Sequence, residues 1–135
     1  MAIFLSNDVQ VTLNAVDLTD HCTSASISRV FDELEVTAMG DTSHVFVKGL
    51  EASTITLDFL NDTATSNVLQ TLQAAWGTTV ALTLKQTSGA TSATNPLYST
   101  TVLVNNTTDI NGAVGDISTQ SITFTCNSPI VITTS

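Results

Sequence analysis

Residues 54–59 read Thr-Ile-Thr-Leu-Asp-Phe, a strict alternation of polar and apolar side chains. Because successive side chains of a strand point to opposite faces, this pattern predicts a strand with one buried and one solvated face. The same alternation recurs along most of the chain. Its apolar positions elsewhere are Val9, Val11 and Leu13; Ala25 and Ile27; Leu34 and Val36; Val80, Leu82 and Leu84; Tyr98, Val102 and Val104; and Ile122, Phe124 and Cys126, with residues 130–132 as a last short strand. We therefore predict a mainly β fold, in which two packed sheets form a sandwich or barrel.

One segment, residues 65–76, changes from the period of a strand to that of a helix. Its apolar residues are Val68, Leu69, Leu72, Ala75 and Trp76. This spacing predicts one flanking α-helix of about three turns, with Trp76 as an anchor in the core. The candidate caps at its start are Asp62, Thr63 and Ser66. Gly77 suits the left-handed position just after its end.

The composition indicates a single domain, residues 1–135, with a surface of uncharged polar groups. Charged residues are 11% of the chain, whereas a typical soluble domain has about 25%. The net charge is −9, from 12 acids against the three bases Arg29, Lys48 and Lys85. Such a chain cannot hold nucleic acid by neutralising phosphates, and it is a poor partner for an anionic membrane.

The sequence shows neither a signal peptide nor a stretch long enough to span a bilayer. We therefore expect synthesis in a cytoplasm, with Cys22 and Cys126 as reduced, buried thiols.

Residues with catalytic potential are scarce and scattered. His21 and His44 lie in polar or turn-like segments, and the adjacent His21 and Cys22 would point to opposite faces of a strand. There is no nucleophile elbow and no glycine-rich phosphate loop. The carboxylates around Glu33 and Glu35 read as a solvated acidic face, opposite Leu34 and Val36. We expect no catalytic residue, no cofactor, no metal and no enzymatic activity.

One region carries a resemblance to a known family. Residues 35–42 read Glu-Val-Thr-Ala-Met-Gly-Asp-Thr, residues 45–50 read Val-Phe-Val-Lys-Gly-Leu, and residues 53–57 read Ser-Thr-Ile-Thr-Leu. This progression resembles the core of the tail tube proteins of long-tailed phages. The Asn-Pro-Leu-Tyr at residues 95–98 and the Gly-Asp at residues 115–116 are similar to that family too.

The resemblance implies a fold of two packed β-sheets with one helix. It also implies assembly, usually of six subunits, into rings that stack as a hollow tube through which DNA passes without specific binding. The expected partners are further copies of the chain, the tape-measure protein and other tail proteins. The expected location is the virion tail, assembled in the host cytoplasm. By position, residues 31–50 would form a loop that reaches the adjacent ring. Its candidate contact residues are Glu33, Glu35, Met39, Asp41, His44, Phe46 and Lys48.

Two physical features of the sequence suit this function. The strands near Leu57, Leu84, Val104 and Phe124 carry little charge, so we expect their edges to be free to pair with a neighbouring subunit. The excess of acids suits a channel that does not grip DNA, because each wall Lys or Arg would bind phosphate. The same excess also serves solubility.

Two other classes of protein stay open. A Thr-rich extracellular β-sandwich, acting as an adhesin or pilin-like binding module, predicts an export signal and a disulfide between Cys22 and Cys126. Another virion component, such as a tail terminator or a capsid decoration protein, predicts the same fold with a different assembly.

Overall fold

The computed structural model describes residues 8–65 and 67–135. The strands in this part are β1 (Gln10–Leu13), β2 (Val16–Asp17), β3 (Cys22–Ser28), β4 (Phe31–Glu35), β5 (Phe46–Glu51), β6 (Thr54–Leu60), β7 (Thr79–Lys85), β8 (Leu97–Leu103), β9 (Thr119–Cys126) and β10 (Val131–Thr133). One helix, α1 (Val68–Ala75), and a short 3-10 turn at Thr19–His21 complete the list. Strands occupy 46% of the described residues and helix 9%. The predicted mainly β fold with two packed sheets and one helix is confirmed.

Antiparallel pairing joins most strands into a large sheet that bends into two layers. One layer contains β3, β6 and β9, and the other contains β2, β1, β7 and β8, with β10 also on β8. The layers meet where Val102 pairs with Cys126 and Leu103 pairs with Thr125. Residues 127–130 then separate β9 from β10, which continues along β8. Strands that change layers at a bend form the corners of many sandwiches.

The core lies between the two layers and is built from their alternate residues. Ile55, Leu57 and Phe59 of β6 are almost completely buried, whereas the residues between them are only partly buried. The other strands contribute Val11, Leu13, Leu82, Leu84, Val102, Ile122 and Phe124 to the same cluster. Each fully buried side chain of this kind contributes roughly 1.5–3 kcal/mol relative to exposure.

Helix α1 packs its apolar face on this core but is shorter than the sequence predicts. Its buried residues are Val68, Leu69, Thr71, Leu72 and Ala75. The N-cap residue is Asn67, without a side-chain capping bond, so the predicted caps Asp62 and Thr63 are wrong. Ser66, the third candidate, lies outside the described residues. Gly77 has the expected left-handed backbone, with φ of +79°, and its N–H donates to the Val104 carbonyl at 2.7 Å.

The prediction that Trp76 anchors the core is wrong, because 62% of this residue is exposed. The helix ends at Ala75, and the backbone of Trp76 turns to an extended ψ of 129°. Its side chain therefore leaves the apolar stripe that the preceding helical residues form.

The predicted positions of the free sheet edges are mostly wrong. The strands that contain Leu57 and Leu84 are paired on both sides, and Val104 just follows an interior strand. The strand that contains Phe124, β9, pairs with β6 along its length but with β8 only at Thr125 and Cys126. Interior strands and open edge strands can both have few charged residues, so a low charge in the sequence does not distinguish an edge strand from an interior strand. Within the described part of the chain, β3 is the long strand at an open end of the sheet. Its residues 22–28 carry no charge.

Candidate functional site

The β4–β5 hairpin extends the β3–β6 pair beyond the sandwich. The Val30 carbonyl accepts a hydrogen bond from the Ala52 N–H at 2.7 Å, and Phe31 pairs with Glu51. The register shifts between Phe31 and Glu33, which marks an irregularity of the bulge type at the base of the hairpin. Beyond this point β4 and β5 pair only with each other.

The tip of the hairpin is a closed turn. Gly40 has a φ of +93°, a left-handed conformation that glycine adopts without strain. The Asp41 carboxylate accepts the Ala38 N–H at 2.7 Å, and the Asp41 N–H donates to the Ala38 carbonyl at 3.1 Å. Met39 is fully exposed at this tip.

One face of the hairpin is aliphatic and uncovered. Leu34 pairs with Val47, and the Val36 N–H donates to the Val45 carbonyl at 2.8 Å. Because paired residues project from the same side of a two-stranded ribbon, these four side chains form one surface. We call it the aliphatic face. Each of its residues is between 40% and 51% exposed.

The opposite face carries the charges. Glu33 pairs with Lys48, Glu35 pairs with Phe46, and the Lys48 Nζ lies 5.6 Å from the centroid of the Phe31 ring. This arrangement confirms the prediction that Glu33 and Glu35 lie opposite Leu34 and Val36.

A hydrogen bond joins two of these side chains near the tip. His44 Nδ1 lies 2.5 Å from Glu35 Oε2. This contact, together with a hydrogen bond from Thr37, lowers the pKa of Glu35.

The predicted contact residues therefore occupy two places on one hairpin. Met39 and Asp41 lie at the tip, and the charged face holds Glu33, Glu35, His44, Phe46 and Lys48. The aliphatic face is the part that sequence reasoning missed, since the alternation at Leu34 and Val36 predicts burial in the core. The sequence did contain a partial indication that this hairpin is exposed, because residues 31–51 contain five of the chain's 12 acids. That density is unusual for a strand pair packed on both faces.

An open cleft of about 970 Å³ runs beside the free edge of β3. It is lined by two of the chain's three basic residues, Arg29 and Lys85. Its apolar lining consists of Val9, Ala25, Ile27, Leu84 and Tyr98. Among its described lining residues there is no histidine, and burial raises the pKa of its one thiol, Cys22. A thiol of raised pKa is a poor nucleophile at neutral pH, so Cys22 is not activated for attack in this cleft.

The histidines and cysteines do not assemble into a reactive group. His21 Nε2 lies 2.8 Å from Asp62 Oδ2, far along the chain from the hairpin pair of His44 and Glu35. Within residues 8–65 and 67–135, no three His, Cys, Asp or Glu residues are grouped so that they could hold a metal ion.

Cys22 and Cys126 are both free and half-buried, so the prediction that both thiols are buried is wrong. Cys22 pairs with Phe59, which pairs with Gln120 on β9. Cys126 therefore lies about 20 Å beyond Gln120 along β9, at roughly 3.4 Å per residue. A disulfide requires Cα atoms within about 7 Å. The bridge that an adhesin-like reading expects is therefore not possible within one chain of this fold.

Comparison with known proteins adds no family. No protein-family model matches the chain, and no curated protein is significantly similar to it. Among the described residues, no helix is both long and apolar enough to cross a membrane.

Proposed function

We propose that this chain is a structural subunit of a phage tail tube, which self-assembles into stacked, hexameric rings and has no catalytic activity. The observation that carries the proposal is the aliphatic face, formed by Leu34, Val36, Val45 and Val47 on a hairpin that leaves the sandwich. A surface of this kind on an extended arm is suited to contact with a second subunit.

The magnitude of this contact favours a closed, repeated assembly over a simple pair. Full burial of an aliphatic side chain is worth roughly 1.5–3 kcal/mol, and about half of that is still available at each of these half-exposed positions. The sum over the residues of the aliphatic face is comparable only to the lower end of the free-energy cost of association, which is about 4–15 kcal/mol. One hairpin contact is therefore weak by itself. Rings and stacks make several such contacts for each subunit, which stabilises the assembly as a whole.

The open edge of β3 supports the same function. A soluble monomer usually protects an edge strand with charges, proline or a bulge. Residues 23–28 of β3 contain no charged residue and no proline. The register shift in this strand lies at its start, between Cys22 and Ser24. Pairing of this edge around a ring would remove it.

The charge of the chain fits a conduit for DNA ejection in the virion tail, with assembly in the host cytoplasm. Twelve acids against three bases make an assembled tube strongly anionic, so DNA would pass without being held. The tape-measure protein and other tail proteins would be the further partners of such a tube.

Negative-stain electron microscopy of the purified chain across a concentration series tests the proposal. We expect hollow tubes or stacked rings, and a strict monomer at all concentrations would overturn the proposed function. Single rings that never stack would favour a tail terminator instead.

A matched pair of variants tests the role of the aliphatic face. Val47→Asp places a charge on this face, and Val114→Asp makes the same change at a fully exposed position in the loop before β9. We expect assembly to be lost in the first variant and kept in the second. Equal assembly of both variants would show that the hairpin is not the contact.

A further inference from the structure

The connection between β8 and β9, residues 104–118, is the longest described segment without a helix or a strand. Asn111 and Gly112 lie in its middle, and both are exposed. The Asn111 Nδ2 atom donates a hydrogen bond to the Thr119 carbonyl at 2.7 Å. Because Thr119 is the first residue of β9, the Asn111 amide attaches the middle of this loop to the sheet.

The backbone nitrogen that follows Asn111 is unshielded. Gly112 is the only glycine of the chain that follows an asparagine. It has no side chain, and nothing lies within 4 Å of the position that a Cβ atom would occupy. Glycine also adopts backbone angles that other residues rarely reach. The Gly112 nitrogen is therefore free to approach the side-chain carbonyl carbon of Asn111.

We propose that Asn111 is a site of spontaneous deamidation, with water as the only co-reactant. The Gly112 nitrogen loses its proton to solvent and forms a bond to Asn111 Cγ. The Cγ–Nδ2 bond breaks, and the nitrogen takes up a proton from solvent and leaves as ammonia. Water then opens the five-membered succinimide ring at either carbonyl, which gives an aspartate or an isoaspartate. No oxidant or reductant is needed, and the inference does not depend on the proposed tube function.

The product cannot keep the contact with β9. An ionised carboxylate only accepts hydrogen bonds, so it repels the Thr119 carbonyl to which the amide donated. Asp62 and Asp109 line the same shallow cavity of about 430 Å³ as Asn111. The new charge therefore also meets two carboxylates of the same sign. Both effects favour detachment of residues 109–117 from the sheet.

The two ends of the loop should stay in place, because other side chains hold them. The Thr108 N–H donates to Gln120 Oε1 at 3.1 Å, and Gln120 Nε2 donates to Asn61 Oδ1 at 2.7 Å. Asn61 Nδ2 in turn donates to Ser118 Oγ at 2.9 Å. Gln120, at the centre of this network, is only 3% exposed. The reaction alters no group of this network, so release is limited to the segment between Thr108 and Ser118.

Mass spectrometry of the aged full-length chain tests the modification. The chain has no Lys or Arg after Lys85, so trypsin releases residues 86–135 as one peptide. This peptide contains Asn111 and, in the same loop, the exposed Asn106. Asn106 is followed by Thr107, whose branched side chain hinders the same attack. After incubation at mildly alkaline pH, Asn111 should be converted several-fold faster than Asn106, with isoaspartate among its products. Equal rates at the two sites would overturn the inference.

Gly112→Ala is the variant that should block the reaction. The added Cβ atom meets nothing within 4 Å, so the fold is kept, while the methyl group shields the attacking nitrogen. Deamidation of Asn111 should then slow several-fold. An unchanged rate in this variant would exclude attack by the Gly112 nitrogen.

Hydrogen exchange tests the release of the loop. In the aged chain, and in freshly prepared Asn111→Asp, the amides of residues 109–117 should exchange faster than in the fresh unmodified chain. The amides of Thr108 and β9 should stay protected, and Gly112→Ala should keep the exchange pattern of the fresh chain. Unchanged exchange of residues 109–117 after conversion would show that the amide does not hold the loop. Loss of protection in β9 would show that the loop is not released alone, and either result overturns the proposed consequence of deamidation.

Discussion

Leu34 and Val47 are paired across the β4–β5 hairpin with their side chains on the same face, yet 51% of Leu34 and 46% of Val47 stay exposed. Both residues have the sequence pattern of a buried strand. The sandwich does not cover them: every residue of β4 is exposed, and β4 and β5 pair only with each other. Their contribution to the free energy of unfolding of one subunit should therefore be small.

Leu34→Ser is expected to leave the isolated subunit nearly as stable as the unmodified chain. Substitutions at exposed sites usually change the free energy of unfolding by no more than about 0.5 kcal/mol. Leu57→Ala, in the fully buried part of β6, should cost about 2–5 kcal/mol. Urea unfolding of both variants, at concentrations where the protein is monomeric, measures the difference. A loss above about 2 kcal/mol for Leu34→Ser would mean that the hairpin packs against the core.

Glu51 fixes the base of the hairpin to the β9–β10 connection, and this anchor should depend on pH. Its carboxylate accepts the Ile130 N–H at 3.0 Å and the buried Ser53 hydroxyl at 2.8 Å. The Ile130 hydrogen bond, then that of Ser53, lowers the pKa of Glu51 from its ordinary value of 4.5. A lowered pKa means that the contact stabilises the fold above pH 4.5 and is lost as the pH falls through the lowered pKa.

An NMR titration of the Glu51 carboxyl group measures this effect. Ser53→Ala removes one donor and should raise the pKa of Glu51 toward 4.5. Ser121→Ala, on the far strand of the same layer, should leave it unchanged. An unaltered pKa in Ser53→Ala would exclude the side-chain contact as a cause.

Trp76 should behave as a surface residue. It is the only tryptophan in the chain and is 62% exposed, so its fluorescence emission should be that of a solvated indole in the native subunit. Trp76→Ala should change the free energy of unfolding by no more than about 0.5 kcal/mol, whereas truncation of a buried tryptophan costs about 3–5 kcal/mol. A blue-shifted emission that moves to the red on unfolding would contradict the exposed placement.

Trp76 also illustrates where sequence reasoning stops. Helical spacing correctly indicates that Val68, Leu72 and Ala75 are buried. It fails one residue later, because the spacing carries no information on where the backbone leaves the helix. The alternation of β6 is more reliable, since a strand between two neighbours keeps the same inward face along its whole length.

The hairpin shows the corresponding limit for the candidate site. Alternation at Leu34 and Val36 reports that one face is apolar, and the structure agrees. Alternation does not report what covers that face, because core and contact surface have the same composition along a single strand. The Ser and Thr rows on the outward side of β3, β6 and β9 were equally hidden from sequence reasoning, because they depend on the pairing of strands that are distant in sequence.

Gly49→Ala should disorder the hairpin without unfolding the sandwich. A Cβ atom at this position would lie 2.9 Å from both the Cβ and the carbonyl oxygen of Asp32 on the opposite strand. The backbone on one side cannot move without breaking the β4–β5 pairing, so the strain falls on the hairpin. Hydrogen exchange should show faster exchange of amides in residues 31–51, with the amides of β6 and β9 unchanged.

Gly112→Ala is the matched control for this substitution. Gly112 has nothing within 4 Å of an added Cβ atom, so exchange throughout the chain should stay as it is in the unmodified protein. If Gly49→Ala also accelerates exchange in β6 and β9, the hairpin and the sandwich unfold as one unit. In that case the hairpin is part of the folding core, and its role as an independent contact arm would be lost.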